Sequence, residues 1–427
     1  MQIYEICRKI TNFSIDLCGL YSETGDKSIN FRTFAAVMTK NNCYLASKPR
    51  YEILDGLRGV AALLVVGYHL FETYFHGAPD QPINHGYLAV DFFFVLSGFV
   101  IGYAYDDRWG KMSTWNFFKR RLIRLHPMLI FGTLFGTLLF YFGGGSMSFP
   151  LINDTPWYML LFVMLWCFTM IPLPSTMDIR GWAETNPING PAWSLQWEYI
   201  ANILYALIIR RFPRWLLMFF VGISAILTVM LCLNIDLFGF LEIRNWASYT
   251  VVGGWSTTPD QLQVGITRLF YPFFCGLLLS RMGWLIKVRG GFWWCSLLIV
   301  MLMCMPWMGI GTEGETRWTN GLYEMLCILV AFPLIVSIGA GSSVKGGKSE
   351  AINRFLGEIS YPLYITHYPL IYMQMSWADT HKDAPIGTHV LVGISILILS
   401  VLVAYAAFRL YDLPVRGWLK RKLFNTR

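Results

Sequence analysis

Charge is scarce in this chain. Only 14% of its 427 residues are Asp, Glu, Lys or Arg, whereas a soluble globular protein carries about 25%. Hydrophobic residues make up 55% of the sequence, and the mean hydropathy is +0.47. Apolar runs close to the length that spans a bilayer recur along the chain. The composition therefore excludes an ordinary soluble domain and predicts an all-α, polytopic integral membrane protein.

Other signatures are absent from the sequence. The nine cysteines form no C-x-x-C pair and show no metal-ligand spacing, so we expect neither a metal site nor a disulfide framework. Residues 1–50 contain no apolar h-region, so we expect no signal peptide there. We interpret them as a cytoplasmic extension, or as an over-extended gene model that truly starts at Met38. The net charge of +8 does not indicate a nucleic-acid partner, because Lys and Arg collect in the cytoplasmic loops of membrane proteins.

Eleven apolar segments follow the extension. They are 59–76, 87–104, 127–143, 155–173, 193–209, 215–233, 265–281, 292–310, 321–340, 359–377 and 387–408. Basic clusters precede the third segment and follow the fifth, seventh, ninth and last, and the positive-inside rule puts them all in the cytoplasm. One segment between the first two clusters therefore does not cross, and the Pro-flanked 155–173 is the best candidate for a re-entrant or interfacial helix. We expect ten spanning helices with both termini inside, a membrane domain over 51–416 and a basic cytoplasmic tail over 417–427.

A histidine lies deep inside the first apolar segment. Arg58 precedes His69 by eleven residues, close to three helical turns, so the two share one face about 16 Å apart along the axis. An ionisable group near mid-bilayer is a candidate for function, here as a general base. A histidine hydrogen-bonded between helices with a structural role is the alternative. Glu72, one turn beyond His69, either orients the imidazole or marks the outer water boundary.

Further ionisable groups lie within apolar segments. The depth of His367 matches that of His69, which suggests a shared cavity or a structural pair. Glu198 lies in the outer half of its helix, where it could pair with a histidine, bind acceptor hydroxyls or form a buried salt bridge with Arg268. Asp91, near the outer end of the second segment, is expected to pair with a cation.

Cations are concentrated before the third apolar segment, at Lys119, Arg120, Arg121 and Arg124. Arg121 and Arg124 are three residues apart and can share a helix face. With Arg58 they would form a clamp for a phosphorylated ligand. A topology signal with lipid-headgroup contacts is the alternative reading of the cluster.

Two small residues adjoin in the second apolar segment. Ser97 and Gly98 permit close helix packing, and no G-x-S-x-G nucleophile elbow surrounds Ser97. We therefore favour a packing role over a serine nucleophile.

Taken together, these stretches resemble the acyltransferase-3 family of bacterial membrane acyltransferases. The matching stretches, in the family's order, are Leu57-Arg58-Gly59 with His69, Asp91 to Phe99, Arg121-x-x-Arg124 before Pro127, Trp193-Ser194-Leu195-x-x-Glu198, and Ser360-Tyr361-Pro362-Leu-Tyr364 with His367. The resemblance implies transfer of an acyl group, often acetyl, from cytoplasmic acyl-CoA to a hydroxyl of a glycan or glycolipid. It also implies a multi-pass protein of the bacterial cytoplasmic (inner) membrane.

The resemblance assigns roles to particular residues. His69 would be the essential histidine, as base or acyl carrier, and Arg58 its partner. Arg121 and Arg124, with Arg120 beside them, would lie by the phosphates of coenzyme A. Two further catalytic candidates are Glu198 and His367, and the candidates for acceptor binding are Glu72, Asp91, Trp193 and Arg268. Acyl-CoA would be a co-substrate rather than a tightly bound cofactor, and the oligomeric state stays open, with a dimer among the candidates.

Two other classes of function compete with an acyltransferase. Intramembrane His and Glu residues also serve proton relays, as in a proton-coupled transporter or flippase of a polar lipid or sugar. Against a transporter, the two halves of the chain show no obvious inverted repeat, and the arginine cluster lies at one face only. A structural subunit of an envelope complex is the third class. Turnover of acyl-CoA by the purified protein separates the first class from the other two.

Overall fold

The computed structural model describes residues 48–75, 77–143, 145, 148–241, 244, 248–308, 318–344 and 346–424. The chain divides into two units, Met1–Pro49 and Arg50–Arg427. Most of the proposed extension, the alternative start at Met38 and the last three residues of the basic tail lie outside the described residues. The architecture below is that of the second unit.

The described residues form helices and no strand. The α-helices in this part of the chain are α1 Glu52–Glu72, α2 Ala89–Tyr105, α3 Thr114–Gly143, α4 Trp157–Phe168, α5 Ala192–Leu207, α6 Arg214–Cys232, α7 Pro259–Met282, α8 Gly291–Met303, α9 Trp318–Leu326, α10 Phe332–Gly341, α11 Gly347–Thr380, α12 Ile386–Ala406 and α13 Leu413–Phe424. A π-helical turn joins α9 to α10 at Cys327–Ala331, and another joins α12 to α13 at Ala407–Asp412. Each of the eleven predicted apolar segments thus overlaps one continuous helical stretch, and the all-α fold is confirmed for the described residues.

Helix length and hydropathy identify a polytopic membrane protein. The helices of the described chain that are long and apolar enough to cross a bilayer number seven: Glu52–Glu72, Gly86–Arg108, Thr114–Gly143, Arg214–Cys232, Pro259–Met282, Trp318–Gly341 and Ile386–Phe424. By contrast, α4 has 12 residues and α8 has 13, which makes them about 18 to 20 Å long against a hydrocarbon core of about 30 Å. A short α4 is what a re-entrant or interfacial helix over 155–173 requires. The helical part of segment 292–310 is shorter than predicted.

Glycines allow the helices that surround the site to approach closely. A Cβ added at Gly59 of α1 would come within 2.3 Å of the carbonyl oxygen of Leu356 on α11, so this crossing requires glycine. A Cβ at Gly98 of α2 would lie 1.8 Å from the carbonyl oxygen of Phe273 on α7. The predicted packing role of Gly98 is confirmed, and α1 and α2 are each held against a long partner helix.

A proline fixes the loop before α5 against α11. Pro369 has no N–H, so the carbonyl of Ile365, four residues earlier, loses its helical donor. Nδ2 of Asn189 donates to that carbonyl oxygen at 2.7 Å. The bond anchors the loop two residues from His367.

Candidate active site

A pocket of about 290 Å³ lies among α1, α2, α3, α5, α11 and the π-helical turn that leads into α13. Its cationic lining consists of Arg50, Arg58, Arg121, Arg124, Arg354 and Arg416, and its acidic lining consists of Glu52, Asp55, Glu198, Glu358 and Asp412. The predicted clamp of Arg58, Arg121 and Arg124 therefore faces one pocket. Arg120 does not line it, and its guanidinium lies 4.6 Å from the centroid of the Phe424 ring.

Carboxylates neutralise half of these arginines. The pairs, with their N–O distances, are Arg58–Asp55 at 3.0 Å, Arg121–Glu198 at 2.6 Å and Arg416–Asp412 at 2.6 Å. Within the described part of the chain, no carboxylate lies within ion-pair distance of Arg50, Arg124 or Arg354. These three cations are available to an anionic ligand without the breaking of an existing pair.

The positive charge extends from the pocket to the last helix. Lys420 of α13 experiences repulsion from Arg416, Arg50, Arg124 and Arg120. Clustered guanidinium and ammonium groups of this kind favour phosphate. This end of the pocket is therefore suited to a ligand with several negative charges.

Glu198 lies at the junction of three helices. Its Oε1 accepts hydrogen bonds from Nη2 of Arg121 at 2.6 Å and from Oγ of Ser97 at 2.7 Å. The suggested salt bridge between Glu198 and Arg268 is wrong, because α3 rather than α7 brings a cation to this carboxylate. Ser97 contributes a polar contact as well as the small volume that its sequence context predicted.

Arg268 forms its ion pair with Asp91 instead. Nη2 of Arg268 lies 2.7 Å from Oδ2 of Asp91, and the side chains are 1% and 0% exposed. Arg268 also donates to the carbonyl oxygens of Tyr87 and Gly253, and its guanidinium lies 5.3 Å from the Trp193 ring. Asp91 pairs with a cation as predicted. Three of the acceptor-binding candidates, Asp91, Trp193 and Arg268, therefore contact one another in a buried cluster.

The two histidines are neighbours, as their matching depths suggested. Their ring centroids are 5.5 Å apart. Neither lines the arginine pocket, but Tyr364, which does, has its ring centroid 6.1 Å from that of His367. Tyr364 is also the last residue of α11 in the pocket lining. The inner end of the pocket thus adjoins the histidine pair through Tyr364.

Each imidazole forms a hydrogen bond through Nδ1. Nδ1 of His69 lies 2.6 Å from Oε2 of Glu72. A carboxylate accepts hydrogen bonds, so in the neutral imidazole this contact places the proton on Nδ1 and the lone pair on Nε2. This contact is the one that orientation of the ring, the first of the two roles considered for Glu72, requires. Nδ1 of His367 lies 3.0 Å from the carbonyl oxygen of Leu363 and donates to it. Its Nε2 is buried and has no hydrogen-bond partner among the described residues.

A polar loop before α5 is folded against the same region. Tyr368 packs edge-on against His69 and against Tyr372, with centroids 4.5 Å apart in each case. The Tyr372 hydroxyl donates to Oε2 of Glu184 at 3.0 Å, and the Arg180 guanidinium lies 3.5 Å from the Tyr372 ring centroid. Burial raises the pKa of Glu184 to about 7, although Arg180 opposes the rise. The loop therefore supplies a second titratable carboxyl near the histidine pair.

Several pocket residues were not singled out by sequence reasoning. Arg354 and Arg416 belong to basic clusters that served only as topology signals, and Arg50 follows Lys48 just before α1. Tyr364 was noted only as part of the stretch around His367. One signal in the sequence could have identified these arginines. Several basic clusters were assigned to the same cytoplasmic side, and three of those clusters each contribute an arginine to this pocket.

Comparison with known proteins identifies related chains. A family model described as an acyltransferase domain matches residues 51–409. Acyltransferase MdmB of Streptomyces mycarofaciens is 25% identical over 345 residues, which is 75% of this chain and 79% of that protein. O-acetyltransferase OatA of Staphylococcus aureus is 24% identical over 382 residues, 86% of this chain and 58% of that protein. Protein 2 in picA locus of Rhizobium radiobacter is 33% identical over 163 residues, 37% of this chain and 81% of that protein. No solved structure matches the chain.

Proposed function

Because the chain belongs to the acyltransferase-3 family and is an acyltransferase, we propose that it moves an acetyl group from cytoplasmic acetyl-CoA to a hydroxyl of a cell-surface glycan or glycolipid. The observation that carries the proposal is the arrangement of the arginine-lined pocket and the His69–His367 pair, which adjoin through Tyr364. The pocket suits a polyanionic donor, and the imidazole suits the activation of a hydroxyl.

The donor lies in the pocket with its phosphates among the arginines. Arg50, Arg124 and Arg354, which have no carboxylate partner in the described chain, bind the phosphate oxygens. Arg58 and Arg121 keep their carboxylate partners and shape the wall along which the acyl arm extends towards Tyr364. The thioester is thereby brought to the inner end of the pocket, next to the histidine pair.

His69 acts as the general base. Nε2 removes the proton of the acceptor hydroxyl while the hydroxyl oxygen bonds to the thioester carbonyl carbon. When the carbonyl re-forms, the C–S bond breaks and the coenzyme A thiolate takes the proton from His69. Glu72 holds the Nδ1 proton throughout and stabilises the transient imidazolium. Attack by Nε2 on the thioester, with an acyl-histidine as intermediate, is the alternative route to the same products.

The protein lies in the bacterial inner membrane with both termini in the cytoplasm and ten membrane-crossing segments, one of which is segment 292–310, where α8 forms only part of the crossing. Arg124, Arg354 and Arg416 come from three basic clusters that the positive-inside rule separately assigns to the cytoplasm, and all three line one pocket, which supports this topology. The 34 residues of α11, about 51 Å of helix, are long enough to carry both pocket residues and His367.

Membrane vesicles of opposite orientation test the proposal. Inverted vesicles that contain the full chain are supplied with acetyl-CoA labelled in its acetyl group, and label is measured in the extracted glycans and lipids. We expect incorporation with the wild type and none with His69→Ala. Right-side-out vesicles should incorporate no label, because the pocket then faces the lumen. A transporter or a structural subunit would label nothing in either orientation.

A further inference from the structure

We infer that the Tyr364 hydroxyl is the hydrogen-bond donor to the thioester carbonyl oxygen, a catalytic role that neither the family match nor the relatives assign to it. The inference rests on the proposed transfer from acyl-CoA. It names the group that stabilises the oxyanion formed when the acceptor oxygen attacks.

The first argument is position. The pocket lining on α11 begins at Asn353 and ends at Tyr364. The Tyr364 ring lies 6.1 Å from His367, whose ring lies 5.5 Å from His69. A donor that enters among the arginines therefore meets Tyr364 at the point where the pocket adjoins the base. The side chain is 8% exposed, so a hydrogen bond there faces little competition from water.

The second argument is the hydrogen-bond count around Tyr364. Its hydroxyl lies 2.7 Å from Oγ of Ser194 and 3.1 Å from the carbonyl oxygen of Pro191. The same carbonyl oxygen is also the acceptor for Oγ of Ser194 at 3.1 Å and for the Ser194 backbone N–H at 3.3 Å. Three donors thus share one oxygen that has two lone pairs. The Tyr364 O–H can turn to a ligand while Pro191 stays satisfied.

The third argument is that three of the four other hydroxyls of the described pocket lining have acceptors of their own, while the fourth, on Ser194, shares the Pro191 carbonyl with Tyr364. Ser97 donates to Glu198 at 2.7 Å, and Tyr361 donates to the carbonyl oxygen of Leu125 at 2.6 Å. Ser360 likewise donates to a backbone carbonyl of its own helix. Each of these bonds would be lost if the group turned to the thioester. Tyr364 and Ser194 are the pocket hydroxyls whose turn leaves the fewest groups unsatisfied, and Tyr364 is the one whose ring contacts His367.

The chemistry requires such a donor. Attack by the acceptor oxygen converts the carbonyl C=O into a C–O⁻ group, and a donor about 2.7–3.1 Å from that oxygen lowers the barrier. As the C=O bond re-forms, the C–S bond breaks and its electron pair leaves on the coenzyme A sulfur, so the phenol proton need not be transferred. The loss of one such donor typically reduces the rate by about 10²- to 10³-fold.

The test reads the carbonyl directly and requires no acceptor. Isotope-edited infrared spectra are recorded of acetyl-CoA labelled with ¹³C at the thioester carbonyl, bound to the purified full chain and to Tyr364→Phe. Binding to each protein is measured by calorimetry. We expect the carbonyl band of the wild-type complex at lower wavenumber than that of Tyr364→Phe, with dissociation constants that agree within about threefold. Tyr361→Phe, another pocket tyrosine, should keep the wild-type band.

A carbonyl band at the same position in the wild type and Tyr364→Phe would overturn the inference. If acetyl-CoA does not bind the wild type, the proposed function fails, and this role fails with it. Should Tyr364→Phe not fold, Tyr364→3-fluorotyrosine keeps the ring and the hydroxyl and is a stronger donor, so its band should move below that of the wild type. Thiol release by Tyr364→Phe should also fall by about 10²-fold or more.

Discussion

Nδ1 of His69 and Oε2 of Glu72 are 2.6 Å apart, on residues one helical turn apart within α1. This single contact decides the tautomer of the imidazole, because the carboxylate can only accept. It leaves Nε2 with the lone pair that a general base requires. The proposed base and the carboxylate that contacts it thus lie within four consecutive residues of one helix.

Replacement of Glu72 tests this arrangement. Glu72→Gln removes the negative charge that stabilises the imidazolium and allows the amide to select the wrong tautomer. We expect kcat to fall by roughly 10²-fold or more, with the dissociation constant of acetyl-CoA unchanged. Glu350→Gln, at a half-buried carboxylate in the first turn of α11 and outside the pocket, is the matched control and should keep the wild-type rate. A Glu72→Gln enzyme with wild-type kcat would contradict the role of this carboxylate.

Donor binding should depend most on the cations that have no carboxylate partner. Arg124→Ala would remove the proposed charge-assisted hydrogen bond to phosphate, so the dissociation constant of acetyl-CoA should rise by about ten- to a hundredfold. The measurement is calorimetry at two salt concentrations, and the affinity of the variant should depend less on salt than that of the wild type. Arg289→Ala, at an exposed arginine outside the pocket, makes the same charge change and should bind as the wild type does. Equal affinities of wild type and Arg124→Ala would exclude a phosphate contact.

Replacement of Arg58 tests whether an arginine that is already paired with a carboxylate also supports binding of acetyl-CoA in the pocket. Its guanidinium is paired with Asp55 at 3.0 Å, so Arg58→Ala removes a pocket wall and leaves one carboxylate without its cation. We expect weaker binding of acetyl-CoA, because that carboxylate then repels the donor phosphates, and no change in acceptor affinity. Asp55→Asn provides the comparison, since it removes the negative charge and should not weaken donor binding. Unchanged acetyl-CoA affinity in Arg58→Ala would refute the assignment.

The buried ion pair should dominate stability rather than binding. Asp91→Asn leaves the guanidinium of Arg268 buried without its anion, and such a loss costs about 3–5 kcal/mol. Asp55→Asn breaks a pair whose side chains are 30% and 17% exposed, so it should cost at most about 1 kcal/mol. Denaturation of the purified proteins in one detergent compares the two free energies of unfolding. Similar losses of unfolding free energy in both variants would contradict the expectation that the buried pair contributes more to stability than the more exposed pair.

Stability should also depend on pH through Glu184. Burial raises the pKa of Glu184 in the folded protein from 4.5 to about 7. Attraction to Arg180 lowers this pKa, and repulsion from Asp178 and Glu72 raises it further. Between these two pKa values the folded protein keeps a proton that the unfolded chain has lost, so the free energy of unfolding falls as pH rises from about 4.5 to about 7, then levels off. The difference between the two values corresponds to about 3 kcal/mol.

Glu184→Gln isolates this contribution. The amide keeps the shape of the protonated carboxyl and the contact with Tyr372, but it does not titrate. The melting temperature of the variant should therefore change less between pH 5 and pH 8 than that of the wild type, while Glu350→Gln keeps the wild-type dependence. Parallel pH profiles for Glu184→Gln and the wild type would rule out Glu184 as the titrating group.

Properties that follow one helix were predictable from the sequence. The eleven apolar segments all overlap helical stretches, because hydrophobic run length is local information. The depth of a residue along its helix is also local, and the matching depths of His69 and His367 correctly indicated that they are neighbours. Gly98 was correctly assigned to a close crossing because small residues in apolar helices have few other uses.

Properties that depend on which helices are neighbours were not predictable in this way. Glu198 was considered as a partner for Arg268, yet α3 supplies Arg121 and α2 supplies Ser97, whereas Arg268 is paired with Asp91. Depth alone does not distinguish these carboxylates. The sequence likewise assigned the basic clusters to one side of the membrane but did not show which helices are neighbours there. It therefore did not indicate that Arg354 and Arg416 line the same pocket as Arg124.

The most direct test of the central claim is release of free thiol from acetyl-CoA by the purified full chain, with membrane lipids and lipid-linked glycans of the host as acceptors. Wild type, His69→Ala and the control His381→Ala, at an exposed histidine, are compared, and acetyl-CoA binding is measured on the same samples. The account predicts thiol release by the wild type and the control, and none by His69→Ala although it binds acetyl-CoA. Equal thiol release by His69→Ala and the wild type would contradict it and would move the chemistry away from His69.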